Sequence, residues 1–344
     1  MNTVRDSIIY YFSGTGNSKQ IALWLAEAAL EKGVDCRVVD ITSVASPDAL
    51  EIKKESLLTI VSPTHGFNYP PITIRFIRKL PKGNNRVVLT NTRGGVKIGH
   101  FITPGLSGIT FMLSTLLLIH KGYKIRGLIS FDMPSNWLSI HPALNAQSVN
   151  YIFQTAQRKV QRYADKLLAG KPVFPALRDL IQDVLISPVA IGYYLAGRFF
   201  LAKSFYASDK CTSCGLCEKN CPLHAIKKSH KHPFWTFKCE SCMRCMNACP
   251  YEAIQTTHGL WIVLFGLTFF IMGLFHTILA DYYQSFFVRL VLFTLVMVAL
   301  AAILYRVQYL LIKNKRINAV ITYASLTFYK FWGRCRYKSE KKSE

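Results

Sequence analysis

Hydrophobic and polar positions alternate with two different periods over the first 170 residues of the chain. Short runs rich in β-branched and aromatic residues predict five strands: Ser7–Phe12, Asp35–Asp40, Leu57–Ser62, Arg86–Asn91 and Lys124–Phe131. Stretches with helix-like patterning lie between and after them and predict four helices: Gly16–Lys32, Pro71–Leu80, Gly108–Lys121 and Ala146–Ala169. This alternation predicts an α/β domain over residues 1–170, with a doubly wound parallel sheet covered by helices on both faces.

One apolar run inside this domain is long enough to be considered as a membrane span. Phe101–His120 is nearly 20 residues of mostly apolar character. Pro104 and Gly105 interrupt the run, and it lies where a doubly wound fold needs its fourth helix. We therefore predict a buried helix of the α/β domain here.

Residues 171–204 join this domain to the next one. Three prolines, Pro172, Pro175 and Pro188, accompany an aromatic and weakly amphipathic stretch. This composition is typical of a connector that packs on its neighbours, and a membrane surface is one place where such a connector can lie.

Two long apolar runs stand near the C-terminal end of the sequence. Gly259–Ala280 is 22 residues without a formal charge, and Phe286–Ile312 is a second run of similar character. Both exceed the roughly 20 residues that a helix needs to cross about 30 Å of hydrocarbon. Two buried helices of a soluble core would need more covering chain than the 32 residues that follow them. With the short link Asp281–Ser285, residues 258–312 therefore predict a transmembrane helical hairpin.

The segment after the hairpin, residues 313–344, is a basic tail. The positive-inside rule places such a tail in the cytosol. Because an even number of spans returns the chain to the same side, the part of the chain before the hairpin is expected there as well. We therefore expect a two-span protein of the cytoplasmic membrane.

Composition and charge bear on the partner of the chain. A hydrophobic fraction of 51% with 18% charged residues excludes a disordered chain. The formal charge of +23 indicates either a nucleic-acid binder or a protein on an anionic membrane. Residues 259–344 combine 11 basic and 3 acidic residues with the most apolar runs. Since no basic stripe with interleaved aromatic residues forms a recognisable nucleic-acid module, we expect an anionic membrane and no nucleic acid.

Eight of the ten cysteines form two copies of one spacing pattern. The first copy, followed by Pro222, comprises Cys211, Cys214, Cys217 and Cys221. The second copy, followed by Pro250 and offset by 28 residues, comprises Cys239, Cys242, Cys245 and Cys249. The chain opens on the polar segment Met1–Asp6 rather than on a secretory signal, so we expect a reducing cytosol and metal ligands rather than disulfides. The other two cysteines, Cys36 and Cys335, lie far from the pattern.

This spacing favours iron–sulfur clusters over zinc. A zinc ribbon offers paired C-x2-C knuckles with four ligands per metal, whereas each block here has the spacing that wraps a [4Fe–4S] cluster while its fourth cysteine ligates the partner cluster. One cluster is therefore assigned to Cys211, Cys214, Cys217 and Cys249, and the other to Cys239, Cys242, Cys245 and Cys221. Residues 205–256 resemble the bacterial two-cluster ferredoxins, which implies a small α+β domain at 205–257. His230 and His232 of the basic insert Lys227–Lys238 are interpreted as loop residues, since eight thiolates suffice.

A glycine-rich loop follows the first predicted strand and opens the first helix. Gly14 and Gly16 allow a tight turn, while the helix N-terminus presents free N–H groups and a positive dipole to an anion. The loop has neither the G-x-G-x-x-G fingerprint of dinucleotide sites nor a Walker lysine. It resembles the phosphate loop of flavodoxins. That resemblance extends over residues 5–169 and implies a sheet of order 2-1-3-4-5 with FMN at the switch point.

The resemblance implies that three loops hold FMN. The phosphate loop comprises Ser13, Gly14, Thr15, Gly16, Asn17 and Ser18. The loop after the third strand flanks one side of the isoalloxazine ring and comprises Pro63, Thr64, His65, Gly66, Phe67, Asn68 and Tyr69. The loop after the fourth strand flanks the other side and comprises Asn91, Thr92, Arg93, Gly94 and Gly95. For Phe67 and Tyr69, ordinary packing of the loop onto the sheet remains an alternative. Flavodoxins are typically acidic, whereas residues 1–180 hold 22 basic and 11 acidic residues, which favours an anionic bilayer or an acidic donor.

A flavodoxin-like domain followed by a two-cluster ferredoxin domain resembles the flavodoxin–ferredoxin fusion proteins of anaerobes, here with a membrane anchor. A flavin accepts two electrons and releases them singly, and each cluster carries one. The first hypothesis is therefore a membrane-anchored electron-transfer protein that passes electrons between FMN and two [4Fe–4S] clusters. Its partner would be a redox protein or a membrane quinone.

Two further hypotheses remain open. One is a reductase of a membrane-soluble acceptor such as a quinone or a polyprenyl compound, with His276, Arg289 and Arg306 as the polar residues of the anchor. All three lie near the ends of their runs, where Arg289 and Arg306 can also simply extend to the interface. The other is a redox sensor, for which the sequence predicts no output domain. No acid–base dyad or nucleophile stands out, so no catalytic residue is assigned.

Overall fold

The computed structural model describes residues 4–141, 144–229, 232–278 and 285–329. These residues form two compact units. The N-terminal unit contains residues up to 137 and from 144 to 194, and the C-terminal unit contains residues 138–141 and the chain from 195 onwards.

The N-terminal unit is built on one sheet. Its strands are β1 (Asp6–Tyr11), β2 (Asp35–Asp40), β3 (Leu57–Pro63), β4 (Arg86–Ile98), β5 (Phe101–Thr103) and β6 (Lys124–Pro134). The parallel strands follow the order β2-β1-β3-β4-β6, and β5 pairs antiparallel with the far end of β4. Counting parallel strands only, this is the predicted 2-1-3-4-5 order of a doubly wound sheet, so the fold prediction is confirmed.

Helices cover the sheet and continue into the connector. They are α1 (Asn17–Leu30), α2 (Pro71–Lys79), α3 (Thr110–His120), α4 (Ala146–Leu168), α5 (Leu180–Leu185) and α6 (Ser187–Gly192), with 3-10 turns at Ile41–Ser43, Pro47–Ala49 and Pro175–Asp179. Helices α1 and α4 pack together, and Ile21, Ala28, Ala156 and Val160 are buried with Val88 of β4 in one core cluster. The helical spacing of apolar residues in α1 and α4 places this buried stripe on the sheet.

The run Phe101–His120 is not the single buried helix that the sequence predicted. Its first residues form β5, where the Thr103 hydroxyl lies 3.2 Å from both the amide nitrogen and the carbonyl oxygen of Val96, and only Thr110–His120 is α-helical. The helix predicted at Gly108–Lys121 is confirmed, but its extension back to Phe101 was wrong, because β4 continues seven residues beyond its predicted end and supplies a pairing partner for Phe101–Thr103. Helix α3 is also partly exposed: Leu116 is 68% exposed.

The C-terminal unit combines short strands with the apolar helices. Its elements are α7 (Arg198–Lys203), β7 (Phe205–Ala207), α8 (Leu216–Lys219), β8 (Ile226–Ser229), β9 (His232–Trp235), α9 (Arg244–Ala248), β10 (Ile254–Thr256), α10 (His258–Ile278), α11 (Phe286–Leu311) and α12 (Lys315–Tyr323), with a 3-10 turn at Leu326–Phe328. A π turn, Tyr193–Gly197, precedes α7. Strands β7 and β10 pair antiparallel, and β8 and β9 form a hairpin within the insert that was interpreted as a loop.

Helices α10 and α11 are each long and apolar enough to cross a membrane, as predicted. They pack on each other around buried Leu264, Met297 and Ala301. Most of their other apolar side chains, such as Phe270 and Leu295, are exposed. This exposed apolar surface suits contact with lipid better than contact with water. Of the predicted link between the helices, residues 281–284 lie outside the described residues.

The start of the predicted basic tail is folded rather than extended. Helix α12 and the turn after it return to the strands of the ferredoxin-like part: Asn318 donates to the Ala207 carbonyl (3.1 Å), Ser325 donates to the Thr256 carbonyl (2.7 Å), and the Thr256 N–H donates to Thr327 (3.0 Å). The chain enters α10 directly after β10. Both ends of the helical hairpin are therefore attached to the same small domain, while residues 330–344 lie outside the described residues.

Candidate functional site

The predicted phosphate loop lies between β1 and α1, as the resemblance implied. Gly16 precedes the helix with a φ of 105°, a left-handed conformation that favours glycine, and its N–H donates to the Ser13 hydroxyl (3.0 Å). The amides of a first helical turn have no acceptor within the helix, and the helix dipole favours an anion there. The buried Asn17 Oδ1 has no hydrogen-bond partner among the described residues. A helix N-terminus beside one unsatisfied buried acceptor fits a ligand that carries both a phosphate and hydroxyl groups, as FMN does.

The carboxyl ends of two strands hold this loop in place. Ser18 and Thr92 of β4 share a hydroxyl–hydroxyl bond of 2.8 Å, and Asn17 donates to the carbonyl of Pro134 at the end of β6 (2.8 Å). Asn136 donates to the Thr15 hydroxyl (2.9 Å). Sequence reasoning missed Asn136, because the predicted strand ends at Phe131 and only the longer β6 brings Asn136 to the strand end.

The loop after β3 is a tight turn that leaves the aromatic residue Phe67 partly exposed. His65 and Asn68 exchange backbone hydrogen bonds of 2.8 and 3.3 Å, while Gly66 and Phe67 have φ values of 54° and 65°. Phe67 is half-buried. Tyr69, in contrast, is fully buried, and its hydroxyl donates to the Thr90 carbonyl (2.9 Å). Burial raises the pKa of Tyr69 well above its ordinary value. Tyr69 therefore packs its ring in the core of the domain, which is the alternative to stacking on the flavin that the sequence left open.

The predicted loop after the fourth strand is instead part of β4. Asn91–Gly95 continue the strand because β6 pairs with it as far as Pro134, opposite Gly95. Arg93 is buried there and donates to Asp132 (2.8 Å) and to Asp179 of the connector (2.6 Å). Its guanidinium is therefore committed to ion pairs within the N-terminal unit.

Two aromatic residues that the sequence did not single out lie against the loop after β3. Tyr193 occupies the space next to Gly66, so that any side chain at Gly66 would overlap its ring. Trp137, three residues after β6, meets Tyr193 edge to face with ring centroids 6.0 Å apart. Trp137 lies six residues after the predicted end of that strand, so no local pattern marked it. Tyr193 comes from the connector, and no local pattern could have placed it at this site.

In the C-terminal unit, the structure gathers the eight cysteines of the repeat into two groups. One cavity is lined by Cys211, Cys214, Cys217 and Cys249, and a second is lined by Cys221, Cys239, Cys242 and Cys245, with Cys245 bordering both. Burial and then the neighbouring Cys249 and Cys214 thiols raise the pKa of Cys211. Burial, followed by Cys242 and Cys221 among its neighbours, raises the pKa of Cys239. The fourth cysteine of each block thus lies with the other block, as the crossed assignment requires.

The cysteine side chains of each group line a cavity and do not converge on a single point. Among the described residues, no three His, Cys, Asp or Glu side chains converge closely enough to hold a single metal ion. A cubane separates its thiolate ligands more widely than a tetrahedral zinc ion does, because the ligands bind four different irons. The arrangement therefore fits [4Fe–4S] clusters, whose irons would favour the thiolate form that burial alone disfavours.

The 28-residue repeat is also a repeat of backbone conformation. Positive φ values recur at three pairs of equivalent positions: Ser213 and Ser241, Gly215 and Met243, His224 and Glu252. The amides of the fully buried Ala225 and Ala253 donate to the sulfurs of Cys221 (3.3 Å) and Cys249 (3.4 Å), each four residues earlier. Such N–H···S bonds stabilise the extra negative charge of a reduced cluster and raise its potential.

A buried cation lies beside the second cysteine group. Lys203 is 3% exposed, donates to the Trp235 carbonyl (2.6 Å) and lies over the rings of Phe237 (4.2 Å) and Tyr305 (4.5 Å). Burial is the main cause that lowers its pKa to about 8, while the Cys239 thiol acts in the opposite direction. No sequence pattern marks a lysine for this role. The residues that surround Lys203, namely Trp235, Phe237 and Tyr305, all lie more than 30 positions later in the chain.

Two regions of the chain match known protein families. Residues 9–96 match the flavodoxin family and residues 210–256 match the 4Fe-4S dicluster domain family. No curated protein matches the chain. Similar solved structures include an archaeal flavodoxin (16% identity, 47% of this chain and 97% of that chain, TM-score 0.31) and the flavodoxin of Megasphaera elsdenii (18%, 44% and 98%, 0.27). Another is the rubredoxin oxygen:oxidoreductase of Desulfovibrio gigas (12%, 48% and 37%, 0.29). The chain thus carries a flavodoxin domain, a 4Fe-4S dicluster ferredoxin domain and two apolar helices.

Proposed function

We propose that this protein is a membrane-anchored electron-transfer protein that passes electrons between FMN and two [4Fe–4S] clusters. FMN takes up two electrons and releases them one at a time, and each cluster carries one, so the combination converts two-electron into one-electron transfer. The observation that carries the proposal is the crossed grouping of all eight repeat cysteines around two cavities, in a chain that also has a flavodoxin phosphate loop.

The flavin would be held by residues of the N-terminal unit. The amides of Ser13–Ser18 would bind the phosphate, and Asn17 would accept a hydrogen bond from a hydroxyl of the ribityl chain. The aromatic walls for the ring would be Phe67, Trp137 and Tyr193, which are half-buried at the same loop. Half-burial suits this role, since a stacking ring needs one face open to the ligand.

Each cluster would be ligated by three cysteines of one block and the fourth of the other. The Ala225 and Ala253 amides would stabilise added negative charge at the fourth cysteines. Lys203 would add a positive charge beside the second cluster only. This difference in surroundings would give the two clusters different reduction potentials, although each is ligated by four cysteines.

The helices α10 and α11 would anchor these domains in the cytoplasmic membrane. Both ends of the hairpin attach to the ferredoxin domain, which supports an even number of spans with both ends on one side. The basic residues after α11 and the reduced state that cluster thiolates require favour the cytosolic side. The redox partner would be a soluble protein on that side or a membrane quinone.

One contact favours a second function, the reduction of a membrane-soluble acceptor. The backbone N–H of Trp235 donates to the hydroxyl of Tyr305 (2.8 Å), which lies near the end of the membrane helix α11. The ring of Tyr305 also contacts the ammonium group of Lys203. The surroundings of the second cysteine group are therefore continuous with an apolar helix. A quinone in the bilayer would meet the protein along this helix.

An anaerobic reductive titration of the purified full-length protein tests the cofactor content. We expect about eight irons and one FMN per chain, and roughly four electron equivalents, two for the flavin and one for each cluster. Iron analysis, the released flavin and the electron paramagnetic resonance signals of the reduced clusters provide the readouts. Zinc in place of iron in a reconstituted sample, or uptake of only two electrons, would contradict the proposal.

A further inference from the structure

Helix α5 in the connector has the reverse of the usual surface polarity. Its acidic residue Asp183 is only 5% exposed, whereas Ile181 is 79% and Leu185 75% exposed. A helix on the surface of a water-soluble protein buries its apolar stripe and exposes its charges. Here the charge faces the protein and the apolar side chains face outward.

Two carboxylates hold α5 and the turn before it in this orientation. Asp183 accepts hydrogen bonds from the backbone N–H groups of Ser107 (3.2 Å) and Gly108 (2.7 Å). Asp179 accepts the 2.6 Å hydrogen bond from Arg93, which is itself buried and also paired with Asp132. Rotating the helix to bury Ile181 would break these bonds and leave buried donors without acceptors. The outward apolar surface is therefore built into the fold.

The outward apolar residues of this segment, which lie within 13 positions of one another, make up what we call the connector face. It consists of Leu177, Leu180, Ile181, Val184, Leu185 and Val189, all exposed. Helix α3, which begins two residues after Gly108, adds a second exposed apolar stripe with Met112, Leu116 and Ile119 at helical spacing. A contiguous apolar surface of this kind marks a site of contact with another apolar phase.

The connector face cannot be part of a straight membrane span. The helical segments Pro175–Leu185 and Ser187–Lys203 are jointly apolar enough to span but are bent by 77° at their junction. The first segment has 11 residues, five of them in a 3-10 turn, and covers about 19 Å against the roughly 30 Å of a hydrocarbon layer. Since Asp179 and Asp183 also tie it to the N-terminal unit, any contact of this segment with a membrane must run along the surface and not through the bilayer.

We propose that the connector face lies in the interfacial layer of the bilayer in which the hairpin is anchored, so that the flavodoxin domain is itself seated on the membrane. The inference rests on the proposed membrane anchoring. Lipid is the occupant because the same chain carries two apolar helices that would hold it at a bilayer. The connector also carries the exposed cations Lys171 and Arg178, which suit anionic headgroups. Tyr193, at the proposed flavin site, belongs to the same connector and would be kept close to the membrane surface.

Site-specific photocrosslinking in the full-length protein tests this placement. The photoreactive residue benzoylphenylalanine replaces Ile181 of the connector face, Leu295 of α11, or Leu30 at the exposed end of α1, in protein reconstituted into vesicles that contain phosphatidylglycerol. All three positions are exposed, so the substitutions should leave the core intact. We expect a lipid adduct by mass spectrometry at Ile181 and Leu295, with at least tenfold less at Leu30.

The three positions separate the two proposals. A lipid adduct at Leu295 without one at Ile181 would overturn the seating of the flavodoxin domain and leave the anchor intact. The absence of adducts at both positions would overturn the anchor as well. A crosslink from Ile181 to a second copy of the chain would show that a protein covers the face, and would overturn the proposal.

Discussion

Removing the carboxylate of Asp183 tests whether the connector is held on the N-terminal unit as inferred. Its Oδ1 accepts two backbone hydrogen bonds, from Ser107 and Gly108, in a buried site. Asp183→Ala leaves two buried N–H groups without an acceptor, each costing about 1–3 kcal/mol, and it also removes a carboxylate whose burial is unfavourable. We expect a net loss of about 2 kcal/mol in the local stability of this site, roughly a 30-fold change in the opening equilibrium.

Asp183→Asn is the matched control, because both bonds use the same oxygen and the amide retains it. The two variants also differ from the wild type in their pH dependence. Burial is the main cause that raises the pKa of Asp183, so ionisation costs the folded state stability, and this cost disappears as the pH falls through the folded-state pKa. Asparagine does not titrate. The stability of Asp183→Asn relative to the wild type should therefore decrease as the pH is lowered.

Hydrogen–deuterium exchange of the full-length protein, read on peptides that contain residues 105–110, measures this effect directly. The Ser107 and Gly108 amides should exchange roughly 30-fold faster in Asp183→Ala and at nearly the wild-type rate in Asp183→Asn. Wild-type exchange in the alanine variant would refute the role of the carboxylate. Equal acceleration in both variants would show that charge, rather than the position of the acceptor, holds the helix.

Three other predictions concern the cofactors. Thr15→Ala and Asn17→Ala should each reduce the FMN content of the purified protein by weakening ligand hydrogen bonds worth about 1–3 kcal/mol, and an unchanged flavin content in both would contradict the loop assignment. Cys221→Ser should alter the paramagnetic signal of the cluster held by the second block, although Cys221 belongs to the first; loss of the other signal would reverse the crossed assignment. Lys203→Met should lower the midpoint potential of the cluster ligated by Cys239, because a buried positive charge stabilises the reduced cluster, and an unchanged potential in a redox titration would exclude this role.

Local patterns were sufficient to predict the framework of both domains. The positions of strand β1 and helix α1 can be predicted from residue type and spacing within a dozen residues. The loop between them can be predicted from its glycines. The crossed cysteine groups follow from the repeated C-x2-C-x2-C-x3-C-P spacing, in which the fourth cysteine of each block ligates the other cluster. The two apolar helices follow from length and composition. In each case the determining interactions are local in sequence or repeat at a constant offset.

The features that sequence reasoning missed depend on contacts between distant residues. Asp183 is buried because its carboxylate accepts hydrogen bonds from backbone amides some 75 residues earlier in the chain. The pattern of apolar residues within α5 does not predict this contact. Tyr193 reaches Gly66 from the connector, and Asn318 completes the ferredoxin domain after the chain has passed through both apolar helices. The extension of β4 similarly depends on its pairing with β5 and β6. Tertiary pairing of this kind overrides local propensity.

The most direct test of electron transfer within the chain is a flash-photolysis measurement on the anaerobic, fully loaded protein. A light pulse on a deazaflavin donor delivers less than one electron per chain, and absorbance then follows the redistribution between the flavin and the clusters. We predict that this redistribution is first order, with a rate constant that stays the same when the protein is diluted tenfold. A rate that falls in proportion to the protein concentration, or flavin and cluster signals that never exchange electrons, would contradict transfer between FMN and the clusters of one chain.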